Sequence, residues 1–387
     1  NGESELKNIM YVEALNEAIF EEMKRDDSVY YMGEDVRASI YGASKGLFEA
    51  YGENRVLDTP LSENGFIGAA VGSSLVGMRP IVETLTSFMW VAMDQLISQL
   101  AKMKYMFGGQ ASLPVTIRAV MYYNGGAAAH HSDRSYPMFM NMPGIKVIVP
   151  TFPEDAKGLM KTAVRDNDPC IIFEDGNLGG IKGDVQDSND EELLIPFGKG
   201  KLLREGTDCT VVGIAGGNIH ALNAAEKLEK DGISIEEIDP RTLVPLDKEI
   251  ILESVEKTGR LVVVDPAHKV CSAASEIISV VTEEGFWNLQ APPQKVAAEQ
   301  VHIPFSQALE PLIFPTEEKI IEALDELDEE LAEDFLDVVD GDVTEEEIED
   351  LFEDEDAFET LIADTDEVIA IIVDAVHEAD HDLNEQF

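Results

Sequence analysis

Basic residues are scarce: 28 Lys and Arg stand against 77 Asp and Glu, a formal net charge of −49 over 387 residues. A field of that sign argues against nucleic acid and anionic membranes as partners, and for basic partners or a high-salt habitat. The deficit is uneven. From Asp325 to Phe387 there are 28 acids and no Lys or Arg, which leaves −21 on the first 324 residues. Cysteine is also rare. Cys170, Cys209 and Cys271 are odd in number, widely spaced and set in apolar stretches, so they read as reduced core thiols of a reducing compartment. No apolar run approaches the ~18 residues of a membrane span. The opening NGESELKNIM has no basic region followed by an apolar stretch, so no secretory leader is expected. The expected setting is the cytoplasm, or a mitochondrial or plastid matrix in a eukaryote.

What is present is a rhythm of strand and helix patterns, over a length that calls for two or three domains. NIMYVEALNEAIFEEM sets Ile9, Val12, Leu15, Ile19 and Met23 on one helical face. SENGFIGAAVGSSLVG reads as a second helix with Ser62 as N-cap, its small residues permitting close packing. PVTIRAV, IKVIVP and PCIIFE look like strands buried on both faces, with a helix between the last two that has Thr151 as cap and Pro153 in its first turn. A polar stretch near residues 183–200 reads as a linker. The alternation then restarts with CTVVGIA, ISIEEID and RLVVVDP as strands and three helices between and after them. The expected class is α/β, with mostly parallel sheets covered by helices. GIAGGN follows a strand and opens a helix, but it lacks a P-loop lysine and dinucleotide spacing, which favours a tight turn. The methionines of YPMFMNMPG read as packing at a subunit or channel surface.

Glu63 poses a question: in LDTPLSENGFIG one carboxylate sits among apolar and small residues at a strand-to-helix junction. Burying it ionised costs several kcal/mol unless it is paired or holds a proton. A first-turn acid complementing a helix dipole is the plain reading. RVLDTPLSENGFIGAAVGSSLVGMRPIVE, AMDQLISQLAKMKYMFGG, HHSDRSYPMFMNMPGIKVIVPTFPEDAKGLMKTAVRDNDPCIIFED and IDPRTLVPLD together resemble the beta subunit of thiamin-diphosphate-dependent 2-oxoacid dehydrogenases. That group includes the pyruvate, branched-chain and acetoin enzymes. The resemblance runs from about Met10 to Leu324.

It implies two doubly wound domains of transketolase type: a pyrimidine-binding domain over residues 1–190, a linker at 191–200, and a C-terminal domain over 201–324. The acidic extension at 325–387 lies outside it. By the same resemblance, Glu63 contacts a nitrogen of the cofactor's aminopyrimidine ring and promotes loss of the thiazolium proton. His131 lines the active-site channel and handles protons, a task that suits its ordinary pKa. His130 belongs to the substrate pocket, and Phe88 stacks on the cofactor ring. His130, His131 and Asp133 together make a poor metal site, because loop neighbours seldom converge without a further cluster. The stretch ETLTSFMWVAMD, from Glu83 to Asp94, is one residue shorter than in relatives. KTAVRDNDP resembles a potassium-binding turn built from carbonyls near Ala163 and Val164 with the side chains of Asp166 and Asp168. Read alone, it is a helix end with solvated acids.

The diphosphate and magnesium motif, GDG with a following pair of asparagines, is absent. The resemblance assigns it to an alpha subunit, so thiamin diphosphate and Mg2+ would be held jointly in an alpha2beta2 heterotetramer. The implied reaction is decarboxylation of a 2-oxoacid with acyl transfer to a lipoyl arm of an acyltransferase core, whose basic subunit-binding domain is a candidate partner for the acidic tail. Acetoin cleavage and a non-catalytic assembly role are the alternatives. In the tail, Ile348, Leu351, Phe352, Leu361, Ile362, Val368 and Ile372 recur near helical spacing, which predicts a helix between about Thr344 and His377.

Overall fold

The computed structural model describes residues 6–122, 125–186 and 193–324. The helix expected in the acidic tail lies outside the described residues. The first part of the chain runs β1 (Leu6–Met10), α1 (Tyr11–Arg25), β2 (Val29–Gly33), α2 (Leu47–Tyr51), β3 (Val56–Asp58), α3 (Glu63–Ser74), β4 (Arg79–Leu85) and α4 (Met103–Met106). It continues through β5 (Thr116–Met121), α5 (Tyr136–Met140), β6 (Lys146–Ile148), α6 (Pro153–Arg165), β7 (Cys170–Asp175) and β8 (Lys182–Gln186). The second part comprises β9 (Lys201–Arg204), β10 (Cys209–Gly213), α7 (Gly217–Leu228), β11 (Ile235–Asp239) and β12 (Thr242–Val244), then α8 (Lys248–Thr258), β13 (Leu261–His268), α9 (Ala273–Glu284) and β14 (Gln294–Ala298).

A seven-stranded sheet has the order β12-β6-β7-β5-β4-β2-β3, parallel except for β12. A five-stranded sheet has the order β14-β13-β10-β11-β9, parallel except for β9. Strands β2, β5, β7, β10 and β11 are buried throughout, which is why most of them read as apolar runs without alternation; β11 buries Glu236, Glu237 and Asp239 as well. On α1, Leu15, Ala18, Ile19 and Met23 are buried and the helix packs on α6. Each such large side chain contributes roughly 1.5–3 kcal/mol of burial free energy. Gly33 allows β2 to approach β4: a Cβ there would lie 2.5 Å from the Glu83 carbonyl oxygen.

Several local expectations change in the folded chain. Ile9 is in β1, not on α1, because β1 pairs antiparallel with β8. That pairing also takes residues 182–186 out of the polar connector. β12 lies between α7 and α8 in sequence, yet it completes the edge of the first sheet against β6. The N-cap position of α6 is Phe152; Thr151 is buried and bonded instead to Asn218 Nδ2 (2.8 Å) and the Ala215 carbonyl (3.3 Å), tying the two sheets together. Ser62 does precede α3, but its hydroxyl bonds Asn64 Oδ1 (3.1 Å) rather than a backbone N–H. Cys170 and Cys209 are free and buried as expected. Cys271 is free but exposed, on a turn with φ of 52°.

Candidate active site

The parallel strands of the first sheet end together, so the segments leaving β2, β3, β4, β5 and β7 gather along one carboxyl edge. That edge is where open α/β sheets bind ligands. Glu34 follows β2, Thr59 and Glu63 follow β3, residues 86–92 follow β4, and the segment carrying His130 and His131 follows β5. The Thr59 N–H bonds the Gly33 carbonyl at 2.9 Å, which joins the first two of these segments.

Glu63 is the first residue of α3 and is 8% exposed. Its neighbour Glu34 was not singled out from sequence. Burial first, then the charges of Glu63 and Asp35, push the Glu34 carboxyl up to about 7. Oε1 of Glu34 and Oγ1 of Thr59 are buried with no hydrogen-bond partner among the described residues. Two orphaned polar atoms beside a buried carboxyl fit a heteroaromatic ring bearing both donors and acceptors. The one sequence signal for Glu34 is an acid after the glycine that ends a buried strand, followed by Asp35 at φ of 52°.

Residues 86–92 wind as 3-10 turns and residues 94–100 as a π-helical stretch, packed against α3. This is the segment expected to be one residue short. Irregular helical turns of this kind concentrate at functional sites. It places Phe88 beside both histidines: ring centroids are 5.6 Å from His130 and 5.4 Å from His131, which are themselves 5.3 Å apart. Both imidazoles are exposed and Phe88 is half-buried. Asp133 accepts from the Trp90 indole at 2.8 Å, and its N–H donates to Ser87 Oγ at 3.2 Å. Asp133 thus fastens the histidine loop to the 86–92 segment. Among the described residues no cluster of His, Cys, Asp and Glu is suited to a metal ion.

Beneath the edge, Arg118 on β5 is fully buried between Glu83 and Glu174, donating Nε–H to Glu174 Oε1 at 2.7 Å and bonding Glu83 and Tyr31. Burial raises the Glu83 carboxyl, while Arg118 and Tyr31 oppose the rise. Such a group is costly to break once one partner is removed.

The turn after α6 presents a different picture from a cation cage. Arg79 Nη1 donates to the carbonyls of Val164 (3.0 Å) and Asp166 (2.9 Å). Lys146 Nζ donates to Asp166 Oδ2 at 2.6 Å and lies 3.8 Å from Asp168 Oδ2, and Lys104 pairs with Asp168. The Ala163 carbonyl accepts the Asp166 N–H at 3.2 Å. Ala163, Val164, Asp166 and Asp168 are therefore together, but three of the chain's own cations face them. They do not fit a potassium ion in this arrangement. At GIAGGN the glycines serve close packing: a Cβ on Gly213 would lie 2.4 Å from Asn218 Oδ1. The methionine segment lines a cleft of about 840 Å³ with residues of α8 and α9.

Residues 7–180 match the transketolase pyrimidine-binding domain and residues 198–320 the transketolase C-terminal domain. The chain is 44% identical over 324 residues to the acetoin:2,6-dichlorophenolindophenol oxidoreductase subunit beta of Cupriavidus necator, covering 80% of this chain and 94% of that one. Identity is 42% over 315 residues to the pyruvate dehydrogenase E1 component subunit beta of Rickettsia felis (81% and 96% covered). It is 40% over 327 residues to the 2-oxoisovalerate dehydrogenase subunit beta of Bacillus subtilis (82% and 98% covered). A solved structure described as a split-gene transketolase, inactive beta4 tetramer, shares the fold with a TM-score of 0.67 at 23% identity, over 82% of this chain and 98% of that one. No helix among the described residues is long and apolar enough to cross a membrane. With both domains matched in order and close relatives covered nearly end to end, the chain belongs to the transketolase-like family of 2-oxoacid and acetoin dehydrogenase beta subunits.

Proposed function

We propose that this chain is the beta half of a thiamin-diphosphate-dependent 2-oxoacid dehydrogenase, completed by an alpha subunit in an alpha2beta2 assembly that brings the magnesium and diphosphate donors. The observation that carries the reading is Glu63, nearly buried at the head of α3 beside Glu34 and Thr59, whose orphaned oxygens suit a polar ring. When bound, thiamin diphosphate supplies the carbon nucleophile that attacks the 2-oxo carbonyl.

The chain's own residues bind and move protons. Glu63, nearly buried at the head of α3, would bond a ring nitrogen, Phe88 would offer the ring an apolar face, and His131 would exchange a proton with the substrate. His130 lies against the same Phe88 ring and borders the substrate. No step is assigned to potassium. Acyl transfer to a lipoyl arm of an acyltransferase core is part of the same proposal, with the acidic tail as the candidate contact for a basic domain of that core. Acetoin cleavage is the second reading, favoured by the 44% and 40% identities to the two acetoin oxidoreductase beta subunits.

The test is turnover of the purified alpha–beta pair with dichlorophenolindophenol as acceptor and pyruvate, 2-oxoisovalerate and acetoin offered separately. Turnover of a 2-oxoacid supports the first reading, turnover of acetoin alone the second, and none with any substrate removes both.

A further inference from the structure

The histidine loop is held from the second domain at three points along its length. At its start, the Gly126 N–H donates to Glu310 Oε1 at 3.1 Å. Glu310 is completely buried, and its other oxygen, Oε2, has no partner among the described residues. Gly126 has φ of 70°, and a Cβ there would lie 3.2 Å from the Phe305 carbonyl oxygen, so the backbones approach closely. Near its end, the Arg134 guanidinium lies 4.7 Å from the Phe314 ring centroid. Where the loop passes into α5, the Tyr136 hydroxyl bonds Asp265 Oδ1 and accepts the Ala267 N–H at 3.1 Å. Asp265 Oδ2 in turn accepts the Ala274 N–H at 2.9 Å in the first turn of α9.

We infer that the second domain is a clasp for the catalytic histidine loop, with Glu310 as a positioning residue that sets where His130 and His131 stand against Phe88. The geometry argues for positioning over mere packing. A buried carboxylate is expensive, and apolar contact would join two domains at lower cost. Glu310 directs that charge at one backbone N–H of a loop that otherwise leaves both imidazoles exposed. Withdrawing the acceptor would release the loop's start while Tyr136 still anchors its end. A swing of about 1 Å in a reacting group can cost on the order of 100-fold in rate.

The inference rests on His131 acting in the reaction proposed above, so its test carries a readout that does not depend on turnover. In the alpha–beta complex loaded with thiamin diphosphate, Glu310→Ala should lower kcat by about 10- to 100-fold with little change in KM. Glu310→Gln, whose amide oxygen can accept the same bond, should stay within about 3-fold of the parent, since a neutral acceptor is weaker but equally placed. Amide exchange should accelerate over residues 125–135 in Glu310→Ala and not elsewhere. If Glu310→Ala does not fold, Glu310→Asp, one methylene shorter, takes its place against Glu310→Gln. Unchanged exchange over 125–135 in the shortened or truncated variant overturns the clasp. Equal losses in both kinds of variant with exchange rising throughout the second domain also overturn it, because Glu310 would then be a folding residue. A parent complex inactive on every substrate discredits the functional reading, and the exchange comparison still decides the clasp.

Discussion

Glu63 stands at a nearly buried position in the first turn of α3, and the proton chemistry proposed for it requires a carboxyl where an amide would serve for packing alone. Glu63→Gln should leave the fold and cofactor binding nearly intact while slowing turnover by ~100-fold or more, the scale of acid–base catalysis. Steady-state kinetics on the alpha–beta pair check this, and near-normal activity would remove the role. Glu237 on β11 makes a contrasting case, because no chemistry uses it. Both its oxygens are buried without a partner among the described residues; burial, then Asp239, raises its carboxyl to about 9 against the opposing charge of Arg204. Below about pH 4 folded and unfolded chains both hold this proton. Between there and about 9 only the folded chain keeps it, so stability falls as pH rises, by up to ~1.4 kcal/mol per unit. Glu237→Gln should therefore raise Tm over the parent, and by more at pH 8.5 than at pH 5. A difference that shrinks with rising pH would show that the group is ionised in the folded chain. Glu63, Phe88, His130 and His131 could be proposed from sequence because each sits in a stretch that carries the family resemblance. Glu34 and Glu310 were not, since their surroundings come from segments 29 and 184 residues away in sequence, around Glu63 and Gly126.

At the scale of elements, most of the buried strands announced themselves through composition and α1 through apolar residues at helical spacing. What stayed hidden was pairing. Nothing in RTLVPLD marks β12 for the first sheet, because strand exchange between domains depends on the proximity of β6, which only the fold supplies. The turn after α6 shows the same limit: KTAVRDNDP names the oxygens but not the cations that reach them from β4, α4 and β6. Since Arg79, Lys104 and Lys146 already face that turn, exchanging potassium for choline at constant ionic strength should leave the Tm of the complex unchanged. Lys146→Met should lower stability by ~1 kcal/mol, the value of a partly exposed pair. A Tm that rises selectively with potassium would mean that an ion displaces these side chains.

For the whole molecule, charge distribution decides what the chain can do alone. The carboxyl edge carries Glu34, Asp35, Asp58 and Glu63, while the nearby Arg37 is spent on Asp58 and the Val56 carbonyl. That field repels a diphosphate, and the chain's net charge of −49 deepens the repulsion at low ionic strength. The tail accounts for 28 of those charges without a Lys or Arg, which composition states and no local pattern explains. A cofactor whose ring suits this edge but whose diphosphate does not must find its metal and cationic donors on another chain. Expressed alone, the protein should bind thiamin diphosphate with magnesium at least ~100-fold more weakly than the assembled complex, a difference of about 2.7 kcal/mol. Added salt should narrow the gap by screening the edge, without closing it, because screening supplies no donors. Calorimetry on the isolated chain and on the complex at two ionic strengths makes the comparison. Tight binding by the isolated chain would mean that its own residues cradle the diphosphate, and the division of the site between two subunits would have to be abandoned.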